Sequence, residues 1–288
     1  MNVPLVVTEF LDRAVKLYGK KQAIFSDERV FTYEELNVRV NQLSRGLRQL
    51  GVQKGDRVAY LTPNCVEMLE GFYGVFQLGA VMVSLNIRLK PEDYLFILNH
   101  SESTVLVVDQ DLYPLISPVR GKLETVKSII VTYKNPETNE YDYDDLLASH
   151  EGTAFDREDV HEDDLSTLLY TSGTTGNPKG VMLTHRNNYL HAFAAMHHLR
   201  VTDEDVLMHV LPMLHVNGWG SPFYYTGNGA TQVMARKTTP EVIFNKVIEH
   251  KVSVMHMAPT VLNALLQYYE NEVPAVNQPL RVVVAGSA

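Results

Sequence analysis

One cysteine, Cys65, is all the sulfhydryl chemistry the 288-residue sequence has, so no disulfide can form within the chain. That scarcity fits a reducing cytoplasm, which is the expected location. A basic excess is missing too: 25 Lys and Arg stand against 34 Asp and Glu, a formal net charge of −9. Nucleic-acid binding as a general activity is not expected, because phosphate backbones recruit cationic surfaces. Long hydrophobic runs are absent. The longest uncharged stretch, GFYGVFQLGAVMVSLNI from Gly71 to Ile87, is interrupted by Gly74, Gly79, Gln77, Ser84 and Asn86. It reads as a buried helix, a stop at Gly79 and a buried strand, not a membrane span. The opening MNVPLVVTEFLDRAVK has no basic leader, and Glu9 and Asp12 break its apolar run, so a signal peptide is not expected. There is no G-x-S-x-G, hence no nucleophile elbow. Histidine spacing also argues against a metal site. His197 and His198 are adjacent, and His185, His191 and His198 lack clustered acids.

What is present points to an α/β protein. Apolar residues make up 45% of the chain, enough for a sizeable core. Leu36, Val40, Leu43, Leu47 and Leu50 mark one helical face, with Thr32 and Glu35 as a capping box and Gly51 as a stop. DRVAYL, AVMVSL and TVLVVD read as strands, separated by helices over about Val66 to Leu78 and from Pro91 toward Asn99. The second half repeats the alternation. LSTLLYT, DVLMHVLP, GATQVMA, VSVMHMA and RVVVAG are strands, with helices from Arg186 to Leu199, from Pro240 to His250 and over TVLNALLQYY. Such alternation predicts mostly parallel sheets flanked by helices. The acidic EGTAFDREDVHEDD, Glu151 to Asp164, reads as a solvated connection. It sets the expected division into subdomains 1–164 and 165–288.

The most informative stretch is LLYTSGTTGNPKGVMLTH, Leu168 to His185. It places a loop between an expected strand and an expected helix. Gly173, Gly176 and Gly180 allow positive φ and close backbone approach to a ligand. Thr171, Ser172, Thr174 and Thr175 add hydroxyls, successive amides can form an anion nest, and Lys179 adds a point charge suited to phosphate. The spacing is not G-x-x-x-x-G-K-[ST], so a Walker-type NTPase does not fit. A ligand-free flexible Ser/Gly loop is the competing reading, and the density of hydroxyls around one lysine argues against it.

YTSGTTGNPKG resembles the phosphate-binding motif of the adenylate-forming superfamily, the acyl-CoA synthetases, luciferases and adenylation domains. Further segments agree in order. FTYEELNVRVNQLSRGL is similar to the family's N-terminal helix and GVFQLGAVMVSLNIRL to its second core segment. LPMLHVNGWG is similar to the aromatic segment beside the acyl site, in its fatty acyl-CoA synthetase form. VVVAGSA is similar to the start of the adenine segment. The resemblance implies the incomplete N-terminal large domain of an ATP-dependent fatty acyl-CoA synthetase. A carboxylic acid, ATP, Mg²⁺ and coenzyme A would be its small-molecule partners.

By that resemblance the loop embraces the β- and γ-phosphates. Ser172, Gly173, Thr174, Thr175, Gly176 and Gly180 line it, Lys179 neutralises the departing pyrophosphate, and Thr171 contacts magnesium. His215 and Trp219, the only tryptophan, fall beside the acyl pocket, with Trp219 as a gate. Gly286, Ser287 and Ala288 flank the adenine ring. A later glutamate motif for Mg²⁺, an aspartate for the ribose, the hinge and a C-terminal domain carrying the adenylation lysine are not in the sequence. The expectation is therefore an N-terminal portion that is inactive alone. The other readings are a ligase for an aryl acid, and a non-catalytic nucleotide- or acyl-binding module whose exposed apolar face pairs two copies.

Overall fold

The computed structural model describes residues 3–133, 138–171, 177–272 and 278–284. In chain order the elements are α1 (Thr8–Tyr18), β1 (Gln22–Ser26), β2 (Arg29–Thr32), α2 (Tyr33–Gln49), β3 (Arg57–Leu61), α3 (Val66–Gln77), β4 (Val81–Ser84), α4 (Pro91–His100) and β5 (Ser103–Asp109). Then follow β6 (Ser128–Thr132), β7 (Tyr141–Asp142), α5 (Tyr143–Ala148), β8 (Leu165–Thr171), β9 (Lys179–Thr184), α6 (His185–Leu199), β10 (Val206–His209), the single turn α7 (Val216–Trp219) and α8 (Ser221–Gly227). The last are β11 (Thr231–Met234), α9 (Pro240–Glu249), β12 (Val254–Met257), α10 (Pro259–Glu272) and β13 (Arg281–Val284). No described helix is long and apolar enough to cross a membrane.

The strands form two sheets, ordered β13-β12-β10-β11-β1-β2 and β7-β6-β5-β3-β4-β8-β9. All neighbours are parallel except the edge pairs β1–β2 and β8–β9. This is the mostly parallel α/β architecture expected. The sheets are not divided at residue 164, however. β1 pairs with β11, and β8 pairs with β4, so each sheet takes strands from both sides of that position.

A shared helical layer lies between the sheets. Phe10 of α1, Leu36 and Leu43 of α2, Phe72 and Phe76 of α3 and Phe223 of α8 pack in one core with Ile24 of one sheet and Val58 and Tyr60 of the other. The period-2 alternation of β3 sends Ala59 and Leu61 to the opposite face, where Tyr94 and Leu98 of α4 cover them. Met208 and Val233 likewise meet Ile243 and Val247 of α9 on the outer face of the other sheet. Burial on both faces explains why these strands are nearly continuous Val, Ile, Leu and Met.

Local signals hold where they are strong. Thr32 N–H donates to Glu35 Oε2 (2.7 Å) and Glu35 N–H to Thr32 Oγ1 (3.2 Å), the reciprocal cap expected for α2. Gly79, at φ +61°, ends α3 in the left-handed region. The acidic segment 151–164 is exposed but not merely a solvated connection. Arg45 donates to the carbonyls of Glu151, Thr153 and Ala154, Arg157 pairs with Asp12, and Glu158 N–H donates to Gln77 O (3.1 Å). The strap is docked because arginines on α2 meet its carbonyls and acids.

Candidate functional site

β8 and β9 form an antiparallel hairpin in which Thr171 stands opposite Lys179 and Tyr170 opposite Gly180. The expected strand–loop–helix is therefore strand–loop–strand, with α6 starting only after β9. Gly180 departs from its expected positive φ. It lies within β9, and a Cβ there would stand 3.0 Å from Leu168 Cδ1, so close strand packing accounts for the glycine. Thr171 and Lys179 are both exposed, and among the described residues no carboxylate pairs with the Lys179 ammonium. Ser172, Gly173, Thr174, Thr175 and Gly176, and also Gly286, Ser287 and Ala288, lie outside the described residues.

β8 runs parallel to β4, so Thr171 sits at the carboxyl edge of the sheet, where open α/β folds place ligands. Two clamps join this edge to the carboxyl edge of the other sheet. After β3, Asn64 Nδ2 donates to the carbonyls of His209 (2.7 Å) and Leu211 (3.1 Å), and its Oδ1 accepts from Met213 N–H (2.8 Å). At the end of β5, Asp109 accepts two bonds from Arg236, which follows β11, at 2.8 and 3.2 Å. Asp109 is almost fully buried. Removing one partner of such a pair strands the other's charge, so Arg236→Ala is expected to lower stability by about 3–5 kcal/mol in urea unfolding.

The Asn64 clamp fixes the start of the segment that carries His215 and Trp219. His215 is exposed, with its N–H bonded to Pro212 O (3.0 Å). From Val216 to Gly220 every φ is positive, between 49° and 68°, so α7 is a left-handed turn. A left-handed backbone costs roughly 1–2 kcal/mol for each residue with a Cβ, and most for a β-branched one such as Val216. Strain of this kind persists where surrounding structure imposes it and is concentrated at functional sites. The turn leaves Trp219 half-buried in a cleft of about 420 Å³ with His191, Ala195, His198, Tyr224 and Val283.

Behind Trp219, His256 lies with its ring 6.3 Å away and bonded to the hydroxyls of Tyr224 (3.3 Å) and Tyr225 (3.1 Å). Burial, with lesser contributions from His209 and Arg281, pushes His256 down to about 4, so the buried ring behind Trp219 is a neutral imidazole near neutrality. The sequence reading did not include Asn64, Asn217 or His256. An Asn-Gly pair at 217–218, which tolerates positive φ, was the available sign of the turn.

The fit to a divalent ion is narrow. Thr171 offers one exposed neutral oxygen, and no group of three His, Cys, Asp or Glu side chains that could hold a metal occurs among the described residues. Magnesium fits there only as a magnesium–triphosphate, with phosphate oxygens as most of its ligands.

Residues 11–288 match the profile of the AMP-binding enzyme family. Over 295 residues the chain is 36% identical to a long-chain-fatty-acid–CoA ligase of Thermus thermophilus, covering 100% of this chain and 54% of that protein. It is 32% identical over 310 residues to the peroxisomal trans-cinnamate:CoA ligase of Petunia hybrida, covering 99% and 54%. In three dimensions it is similar to an anthranilate CoA ligase in complex with anthranoyl-AMP, with a TM-score of 0.87, 27% identity and coverage of 92% of this chain and 52% of that one. The chain thus spans about half the length of the relatives it matches.

Proposed function

Because the chain belongs to the AMP-binding enzyme family, we propose that it carries the nucleotide hairpin and part of the acid cleft of an AMP-forming acyl-CoA ligase acting on a fatty acid. The observation that carries this reading is the Thr171–Lys179 register. It brings a hydroxyl and an ammonium with no carboxylate partner among the described residues together, both exposed, at the carboxyl edge of a parallel sheet.

In the proposed reaction a carboxylate oxygen attacks the α-phosphorus of ATP. The bond from that phosphorus to the bridging oxygen breaks, and pyrophosphate leaves. The thiolate of coenzyme A then attacks the acyl carbon, and AMP departs. The protein's part in the first step is positioning and charge stabilisation. Lys179 neutralises the leaving pyrophosphate, and the loop Ser172 to Gly176 supplies hydroxyl and amide donors. The Thr171 hydroxyl would contact a Mg²⁺ ion carried by the triphosphate, which would supply further neutralisation of phosphate charge. Gly286, Ser287 and Ala288 border the adenine. The acid lies in the cleft beside Trp219, and His215 belongs to the same segment.

The test is acid-dependent exchange of labelled pyrophosphate into ATP, run on the 288-residue chain and on the longest form of the ligase that contains it. Exchange by the longer form with fatty acids is the expected result, with little or none from the chain alone. No exchange with any acid in either form overturns the reading. An aryl-acid ligase is the second reading, favoured by the cinnamate and anthranilate ligases among the similar proteins. Preference for cinnamate or benzoate over every fatty acid in the same assay would select it.

A further inference from the structure

The hairpin and the Trp219 turn come from separate stretches of sequence, yet one buried run of polar side chains joins them. Asn217, in the middle of the left-handed turn, is 1% exposed. Its Nδ2 donates to Thr167 Oγ1 (3.1 Å) and Asn188 Oδ1 (3.3 Å). Asn188 Nδ2 donates onward to Ser166 Oγ (2.9 Å) and Thr167 Oγ1 (3.3 Å), and Ser166 Oγ donates to Leu183 O (3.1 Å). Thr167 and Leu183 are cross-strand partners at the base of the hairpin that ends in Thr171 and Lys179. The turn is thus bonded to β8 directly and to β9 through Asn188 and Ser166.

Glycine alone would satisfy the backbone at position 217, where φ is +50°. Asparagine tolerates that conformation and adds a donor. Its Oδ1 is buried with no partner among the described residues, so the side chain is held for what its amide nitrogen reaches and not by complete bonding. Two reactants held by separate elements react only when those elements are in register, and small misplacements are expensive.

We propose that Asn217 is a positioning residue: its amide, set in the left-handed turn, anchors His215 and Trp219 to the base of the β8–β9 hairpin and fixes the acid cleft relative to the nucleotide hairpin. The inference rests on the reading of these two regions as acid and nucleotide sites.

Asn217→Gly keeps the backbone and removes the amide. Thr167→Val removes the acceptor, and Thr167→Ser restores it. Trp219, the only tryptophan, reports the turn by fluorescence in the 288-residue chain itself. Asn217→Gly and Thr167→Val are expected to shift its emission to the red and to increase quenching by iodide, with Thr167→Ser like the parent. In the longest ligase form the first two variants lower kcat/KM for the acid by about tenfold to a hundredfold, while KM for ATP is unchanged. Unchanged emission and quenching in both folded variants overturns the proposal. So does a proportionate rise in both KM values, or loss of folding in both, since either marks a purely structural network. If the parent ligase shows no acid-dependent turnover, the functional reading fails, and the Trp219 measurement still decides the role of Asn217.

Discussion

Replacing Lys179 by alanine is expected to lower acid-dependent pyrophosphate exchange by about 10²- to 10³-fold in the longest form of the proposed ligase, the scale of removing one preorganised donor from a site of developing charge. The ammonium has no carboxylate partner among the described residues and is exposed, so its removal leaves nothing buried unpaired. Stability should therefore stay within about 0.5 kcal/mol of the parent in urea unfolding. KM for the acid should not change, because the cleft beside Trp219 is lined by α6, α7, α8 and β13 and by no residue of the hairpin. A loss confined to triphosphate binding and turnover, with folding intact, is the signature. Unchanged exchange would remove the basis for the whole functional reading.

Acidification is expected to have the largest effect on stability. His185, His209 and His256 are each held down to about 4 from an ordinary 6.5, chiefly by burial. Asp164 opposes the shift at His185 and Lys54 adds to it; the bond to Gln232 opposes it at His209. Between those two values the unfolded chain binds protons that the folded chain refuses. The contribution is fully present above about pH 6.5 and is lost as pH falls toward 4. Three such groups give a limiting slope of about 4 kcal/mol per pH unit. His191 and His250, also lowered by burial, act with the same sign. Glu9 and Glu70, raised by burial, act against it, so the measured slope falls below the limit. Urea midpoints from about pH 7.5 down to about pH 5 check this, and His256→Gln should remove up to about a third of the slope. A flat profile would mean that these imidazoles are not held neutral.

Elements with dense local signals were legible in the sequence. The Thr32–Glu35 cap, the Gly79 stop and the largely apolar strands gave α2, α3, β3, β4 and β5 their places. What escaped was set by distant partners. The β1–β2 hairpin, QAIFS and RVFT, mixes polar with apolar residues and is only partly buried, and it is completed by β11 far along the chain. β9 was hidden because its apolar run, read alone, suits a lead into a helix. Only pairing with β8 makes it a strand. Within the site, Thr171 and Lys179 were singled out by resemblance, and the structure sets them opposite each other in the β8–β9 pairing. Asn64, Asn217 and His256 were not, because each acts through bonds to residues more than twenty positions away, which no local pattern encodes.

The pairing of β1 with β11 also fixes an order of events during synthesis. Ile24 meets Gln232 and Phe25 meets Val233 in the finished sheet, so the first strand leaves the ribosome long before its parallel neighbour exists. The other sheet waits less, since β4 needs only β8. Nascent chains halted before residue 231 should therefore hold an apolar hairpin without its docking strand, a state that invites chaperone capture and makes late folding slow.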